Sequence, residues 1–120
     1  MNILLVEDDP DVRNVTVRLL ELLNCRVVAV ADASKAITKI VEKSNDFDLV
    51  MTDYFMPDMD GIELTKNLKR IIPDLPVILC TGINNSTDDE IISESGITEI
   101  LSKPYTKNDL DLSIRRATAR

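Results

Sequence analysis

Residues 48–61 read Asp48-Leu-Val-Met-Thr-Asp53-Tyr-Phe-Met-Pro57-Asp-Met-Asp60-Gly61. The apolar run Leu49–Thr52 ends on an acid, and Pro57 and Gly61 then fix a loop and permit a tight entry to the next element. Apolar runs of roughly four to six residues, separated by amphipathic stretches, read as buried parallel strands joined by helices. Three more runs share the pattern. Ile3–Val6 leads to Glu7-Asp8, Val77–Cys80 to Thr81-Gly82, and Ile97–Leu101 to Lys103-Pro104. Strand C-termini of a parallel sheet open on one edge, where open α/β folds place their ligands. Three carboxylates, a hydroxyl and an ammonium, distant in sequence, are therefore predicted to meet in one pocket. That set suits a divalent cation and a phosphoryl group.

Helical signals separate the runs. Asp9-Pro10 sets a capping acid before a proline at the first helical position. Val12, Val15, Leu19, Leu22 and Leu23 form an apolar stripe, and Asn24 suits the stop. After Asp32 as cap, Ala33, Ala36, Ile37, Ile40 and Val41 share one face. Asp60 with Glu63 resembles a capping box, opening a helix with Leu64, Leu68, Ile71 and Ile72 inward. Ser86 with Asp89, and Thr106 with Asp109, have similar spacing for a fourth and a fifth helix. The fourth is short, weakly apolar and ended by Gly96. Five β-α units predict an α/β fold, a doubly wound five-stranded parallel sheet with five helices on its two faces. The middle strands are the most continuously apolar, which predicts the order 2-1-3-4-5. Its reversal point lies between the first and third strands and sets Asp8 beside Asp53.

At 120 residues the chain is expected to be one domain, residues 1–120. Its net charge of −7, from 21 acidic and 14 basic residues, argues against direct nucleic-acid binding, because phosphate backbones are repelled. No apolar run approaches the roughly 20 residues of a membrane span, and no leader precedes the first strand, so no membrane insertion is expected. Cys25 and Cys80 fit neither a disulfide framework nor a zinc spacing. Buried reduced thiols in a cytoplasmic protein are the expectation.

Asp9 is explained as a helix cap and receives no catalytic role. Glu7 and Asp8 follow a buried strand directly, where uncompensated carboxylates are costly. Two unit charges about 4 Å apart repel by about 4 kcal/mol at an effective dielectric of roughly 20. With Asp53 close by, Mg²⁺ and Lys103 would offset that repulsion. Magnesium takes oxygen ligands and is typically held by one or two carboxylates plus a phosphate. Asp53 is the candidate nucleophile, since a carboxylate can attack phosphorus and become an acyl phosphate. Lys103 would neutralise an incoming phosphoryl oxygen. Thr81 would donate its hydroxyl to the phosphoryl group, and Gly82 would let a backbone N–H approach closely. The Lys103-Pro104 bond is a candidate cis peptide.

Taken together, Glu7-Asp8, Asp53-x-x-Met56-Pro57-x-Met59-Asp60-Gly61, Thr81-Gly82 and Lys103-Pro104 resemble the motifs of the receiver domain of two-component response regulators, in order and over the whole length. The resemblance implies a flavodoxin-like fold and a phosphorylation switch. A partner histidine kinase, or a histidine phosphotransfer protein, would pass its phosphoryl group to Asp53. Mg²⁺ would be bound by Asp8, Asp53 and the backbone carbonyl of Phe55, with Glu7 in the same acidic set. The chain has no histidine, so it cannot supply the donor itself. Phosphorylation would draw Thr81 inward and repack the fourth helix, fifth strand and fifth helix for a downstream effector domain or protein. The first helix and the loop after the fifth strand should dock the kinase. A phosphorylation-dependent homodimer could join Asp88, Asp89, Glu90 and Glu94 to Arg115 and Arg116, although exposed pairs contribute only about 0–1 kcal/mol each. With no effector segment after Arg116, a stand-alone regulator and a receiver of a larger protein both stay open.

Two departures stand out. The family's aromatic residue, three positions before the lysine, is Ile100 here, and Tyr105 lies on the other side of Lys103-Pro104. Phe55 and Ile83 are apolar where relatives often carry polar groups that orient a water, which predicts a slowly hydrolysing acyl phosphate. Three rival readings differ in kind. An aspartyl phosphohydrolase commonly needs a second aspartate where Phe55 stands. A flavodoxin-like cofactor binder needs a phosphate loop in place of Glu7-Asp8-Asp9. A non-phosphorylated adaptor would keep only the fold, yet all the reactive residues are present.

Overall fold

The computed structural model describes residues 1–43, 45–82 and 94–119. Strands β1 (Asn2–Val6), β2 (Arg26–Val30), β3 (Leu49–Asp53), β4 (Val77–Thr81) and β5 (Glu99–Ser102) form one parallel sheet in the order β2-β1-β3-β4-β5. This is the expected order. The described helices are α1 (Pro10–Leu22), α2 (Ala33–Glu42), α3 (Gly61–Ile71) and α4 (Lys107–Thr118). The helix expected from Ser86 and Asp89 lies largely outside the described residues. Glu94 and Ser95 are helical, and Gly96 follows with φ +88°. The last strand starts at Glu99 rather than Ile97, because the Thr98 hydroxyl accepts the Val77 N–H at 3.2 Å ahead of the strand ladder.

Alternation along the strands divides the core between the two sheet faces. Ile3, Leu5, Leu49, Met51 and Ile78 pack with Leu20 of α1 and Leu110 and Ile114 of α4. Leu4, Val6, Val50 and Val77 pack with Ala36 and Ile40 of α2 and Leu64 and Leu68 of α3. Each fully buried leucine or isoleucine contributes about 1.5–3 kcal/mol.

Capping follows the sequence signals. Asp9 accepts from the Asp11 and Val12 N–H groups with Pro10 at the first position, Asp60 accepts from Glu63, and Thr106 with Asp109 forms a complete capping box. Asn24 adopts φ +64° just past α1, the left-handed conformation asparagine tolerates at a helix end. The apolar stripe of α1 divides, however. Thr16 and Leu20 are buried, whereas Val15 and Leu22 are exposed. The helix is rotated from the simplest reading because Leu20, not Leu22, reaches the sheet. Similarly, Ile71 and Val41 face solvent at the ends of α3 and α2. Cys80 is buried and Cys25 is half-buried, both free thiols.

Ser113 of α4 is buried, with a hydroxyl that lacks a hydrogen-bond partner among the described residues. An unsatisfied buried hydroxyl carries its desolvation cost. Ser113→Ala is expected to raise stability by about 1 kcal/mol, read as a higher denaturant midpoint at unchanged slope. A lower midpoint would mean that the hydroxyl does find a partner. Among the described residues no helix is long and apolar enough to cross a membrane.

Candidate functional site

Sheet register brings the strand-end residues together. Val6 lies opposite Thr52, so Glu7 and Asp8 leave β1 beside Asp53. Asp53 lies opposite Cys80, and Thr81 opposite Ser102, which delivers Lys103 to the same edge. One carboxylate oxygen from each of Glu7, Asp8 and Asp53 lies within 4.8 Å of the others. Lys103 Nζ sits 2.6 Å from Glu7 Oε1 and 3.1 Å from Asp53 Oδ1. The expected convergence of acids from two strand tips with the late lysine is therefore present.

The cluster is graded from interior to solvent: Glu7 is buried, Asp53 half-buried and Asp8 exposed. Glu7 Oε2 accepts the Asp9 N–H at 3.2 Å, and Asp53 Oδ1 accepts the Tyr54 N–H at 3.0 Å. An Arg13 Nη1–H donates to the Glu7 main-chain carbonyl at 2.9 Å. Burial raises the Glu7 carboxyl above its ordinary range and the Asp53 charge adds to this, while the Lys103 hydrogen bond opposes without cancelling. For Lys103, burial works against the charge, but the hydrogen bond to Glu7 and the charges of Asp53 and Glu7 outweigh it, so the ammonium is held above its usual range. Burial pushes the Cys80 thiol up to about 12, which keeps it neutral behind the site.

Thr81 ends β4, buried, and its carbonyl accepts the Lys103 N–H at 2.7 Å. Gly82 follows Thr81, and Ile83 lies outside the described residues. Lys103-Pro104 is cis. Phe55 is 61% exposed, its ring 4.7 Å from that of Tyr54.

Hard oxygen donors from three carboxylates, faced by one ammonium, fit a small divalent cation such as Mg²⁺. Both Glu7 oxygens are engaged, Oε1 by Lys103 and Oε2 by the Asp9 N–H, whereas Lys103 and the Tyr54 N–H share one oxygen of Asp53, Oδ1. Gly61 makes the packing behind Asp53 possible. A Cβ there would stand 2.5 Å from the Asp53 carbonyl oxygen and 2.6 Å from Leu79 Cδ1.

Two connections were not read from the sequence. Asp58, in the loop after β3, accepts the Ala33 and Ser34 N–H groups of α2 at 3.2 and 2.9 Å. Its only signal was an acid near the cap Asp60, which does not reveal a partner in another helix. The Tyr105 hydroxyl lies 2.7 Å from Thr16 Oγ1, tying the loop after β5 to α1. Val12, Val15, Leu19, Pro104 and Tyr105 line a groove of about 470 Å³ beside Lys103. The exposed part of the α1 stripe thus forms a groove wall. Ile100 is 45% exposed. Arg115 pairs with Asp111 at 3.0 Å and Arg116 with Glu99 at 4.0 Å, while Asp88, Asp89 and Glu90 lie outside the described residues.

The family model described as the response regulator receiver domain matches residues 3–115. The response regulator receiver protein CpdR of Brucella abortus is 35% identical, over 90% of this chain and 88% of its own length. The transcription factor SKN7 of Chaetomium thermophilum is 32% identical over 98% of this chain, which spans only 15% of that protein. Several further curated relatives are matched over 18–25% of their length. A crystal structure of a response regulator receiver domain protein from Clostridium thermocellum superposes with a TM-score of 0.91 at 28% identity, covering 98% of this chain and 93% of the other.

This chain belongs to the response regulator receiver domain family of two-component signalling. Receiver domains act in phosphorylation-dependent signalling with histidine kinases and bind Mg²⁺ at an acidic pocket, and this chain carries an acidic cluster of Glu7, Asp8 and Asp53.

Proposed function

We propose that this chain is a phosphorylation switch in which Asp53 takes a phosphoryl group from the phosphohistidine of a partner histidine kinase or histidine phosphotransfer protein. The observation that carries this reading is the placement of Lys103 Nζ between Glu7 and Asp53, with Asp8 alongside. An Asp53 carboxylate oxygen attacks phosphorus, the P–N bond breaks, and its electron pair leaves with the donor imidazole, giving an acyl phosphate on Asp53. Asp8, Asp53 and the Phe55 carbonyl, with Glu7 in the same acidic set, would hold Mg²⁺. When bound, the ion supplies positive charge to the phosphoryl oxygens. Lys103 neutralises a further oxygen. Thr81 supplies a hydroxyl, and Gly82 allows close approach of a backbone N–H. The chain catalyses its own modification and its reversal, and no reaction of another substrate.

The groove of α1, Pro104 and Tyr105 opens beside Lys103 and suits an apolar helix face of the phosphodonor. Thr81 lies between the site and β5, so its movement towards a phosphoryl group would alter the face that β5 and α4 present to a downstream effector domain or protein. Exposed Ile100 and Leu112 contribute apolar surface there. A phosphorylation-dependent homodimer through Arg115 and Arg116 has less to draw on, because each arginine already meets an acid of its own chain. The reading treats residues 1–120 as a single cytoplasmic receiver domain.

Incubation with Mg²⁺ and acetyl phosphate, followed by intact-mass measurement, tests the acceptor. Wild type should gain one phosphoryl adduct and Asp53→Asn none. Equal adduct on the mutant would place the acceptor elsewhere, and no adduct on either, even with a phosphorylated kinase, would favour the adaptor.

The exposed apolar ring of Phe55 cannot orient an attacking water. Phe55→Asn should shorten the half-life of the acyl phosphate by roughly tenfold, equivalent to about 1.4 kcal/mol in the barrier. An unchanged half-life would discard this explanation of slow hydrolysis.

A further inference from the structure

Asp58 belongs to the loop between β3 and α3, yet its carboxylate is spent on a different helix. Oδ2 accepts the Ser34 N–H at 2.9 Å, while Oδ1 accepts the Ala33 N–H at 3.2 Å and the Met59 N–H at 3.1 Å. Ala33 and Ser34 open α2, where the first N–H groups have no partner within the helix and the positive end of the dipole favours an anion. A slight burial cost raises the Asp58 carboxyl, but the Ser34 and Ala33 N–H groups outweigh it and hold the group below its ordinary range.

The helix does not need this second acid to begin. Asp32 is already its cap, accepting the Lys35 N–H at 2.9 Å and the Ser34 hydroxyl at 3.3 Å. What Asp58 adds is a tie between a loop and a helix start 25 residues earlier in the chain. The base of that loop is closed separately, by the Gly61 N–H on the Tyr54 carbonyl at 2.7 Å, and Met56 and Met59 pack against the core. Phe55 follows Tyr54 beside that base, and the Asp58 carboxylate adds polar ties from the loop to the start of α2 to the packing of Met56 and Met59.

We propose that Asp58 is a positioning residue for the cation site: by clamping the loop tip to α2 it holds the Phe55 main chain where its carbonyl serves Mg²⁺. This rests on the Mg²⁺ reading given above. The clamp acts through the loop backbone, by analogy with the outer partners that orient metal ligands without touching the ion.

Calorimetric titration of Mg²⁺ into the unphosphorylated chain tests the idea, comparing wild type, Asp58→Ala, Asp58→Asn and Asp32→Ala. Asp58→Ala should weaken binding by roughly tenfold, the lower end for outer partners of a metal ligand. Asp58→Asn, keeping one acceptor oxygen, should fall between. Asp32→Ala removes a cap from the same helix and lowers the melting temperature comparably, but should leave Mg²⁺ affinity within about twofold of wild type. Unchanged affinity in Asp58→Ala, or equal weakening in Asp32→Ala, would overturn the positioning role while leaving the Mg²⁺ site standing. No Mg²⁺ binding by wild type would remove the metal reading and this inference together.

Discussion

Replacing Lys103 with methionine is expected to lower stability by about 2 kcal/mol in Mg²⁺-free buffer and to slow phosphoryl uptake by roughly a hundredfold. Both effects have one origin. Glu7 is buried and its Oε1 is paired with Lys103 at 2.6 Å, while Asp53 shares the same ammonium at 3.1 Å. Methionine fills similar space but leaves two neighbouring carboxylates without their cation. Breaking a fully buried pair costs about 3–5 kcal/mol, and the partial exposure of this lysine reduces that figure. The rate falls because one preorganised charge facing the developing phosphoryl charge is lost, a loss worth roughly 10²–10³ in comparable sites. Urea titration and the rate of adduct formation with acetyl phosphate read the two effects. A variant as stable and as fast as wild type would show that the ammonium is incidental to the pocket.

A comparably large effect is expected at Gly61, for a steric reason. Its absent side chain lets the start of α3 press against the end of β3, and a methyl group would enter to 2.5 Å from the Asp53 carbonyl oxygen and 2.6 Å from Leu79 Cδ1. One obstacle is backbone and the other belongs to a fully buried leucine, so neither yields cheaply. Gly61→Ala should therefore cost about 3 kcal/mol, at the upper end of overpacking penalties. It should also impair phosphorylation, because relief of the clash must move the residue that bears the acceptor carboxylate. Denaturant unfolding measures the first effect. Adduct formation well below the melting temperature separates the second from simple unfolding. A stability loss under about 1 kcal/mol would mean that α3 withdraws freely, against the close packing described.

The strand order was legible because the middle strands are the most continuously apolar, while the division of Ile3 and Leu5 from Leu4 and Val6 between the two faces emerged with the structure. The gathering of Glu7, Asp8, Asp53 and Lys103 was legible too, since it follows from parallel strands ending on one edge. Less visible was the rotation of α1. An apolar residue in an amphipathic stripe serves a core or a groove equally well, and Val15 lies in the groove. Nor could spacing reveal that Asp58 would reach Ser34, because carboxylate-to-backbone bonds across the fold leave no periodic trace. The departure at Ile100 was visible, and the structure adds that its side chain is exposed while the Tyr105 hydroxyl is engaged with Thr16. An aromatic role centred on Tyr105 would have to break that contact.

The most direct test is chemical trapping of the phosphorylated residue. An acyl phosphate, unlike a phosphate ester, is reduced by borohydride to an alcohol, so a phosphorylated aspartate becomes homoserine. After incubation with a phosphorylated histidine donor and Mg²⁺, borohydride reduction and peptide mass mapping should find homoserine at position 53 alone, and none when a chelator removes the ion. Homoserine at Asp8 or Asp60 instead, or at position 53 in equal yield with chelator present, would contradict the account.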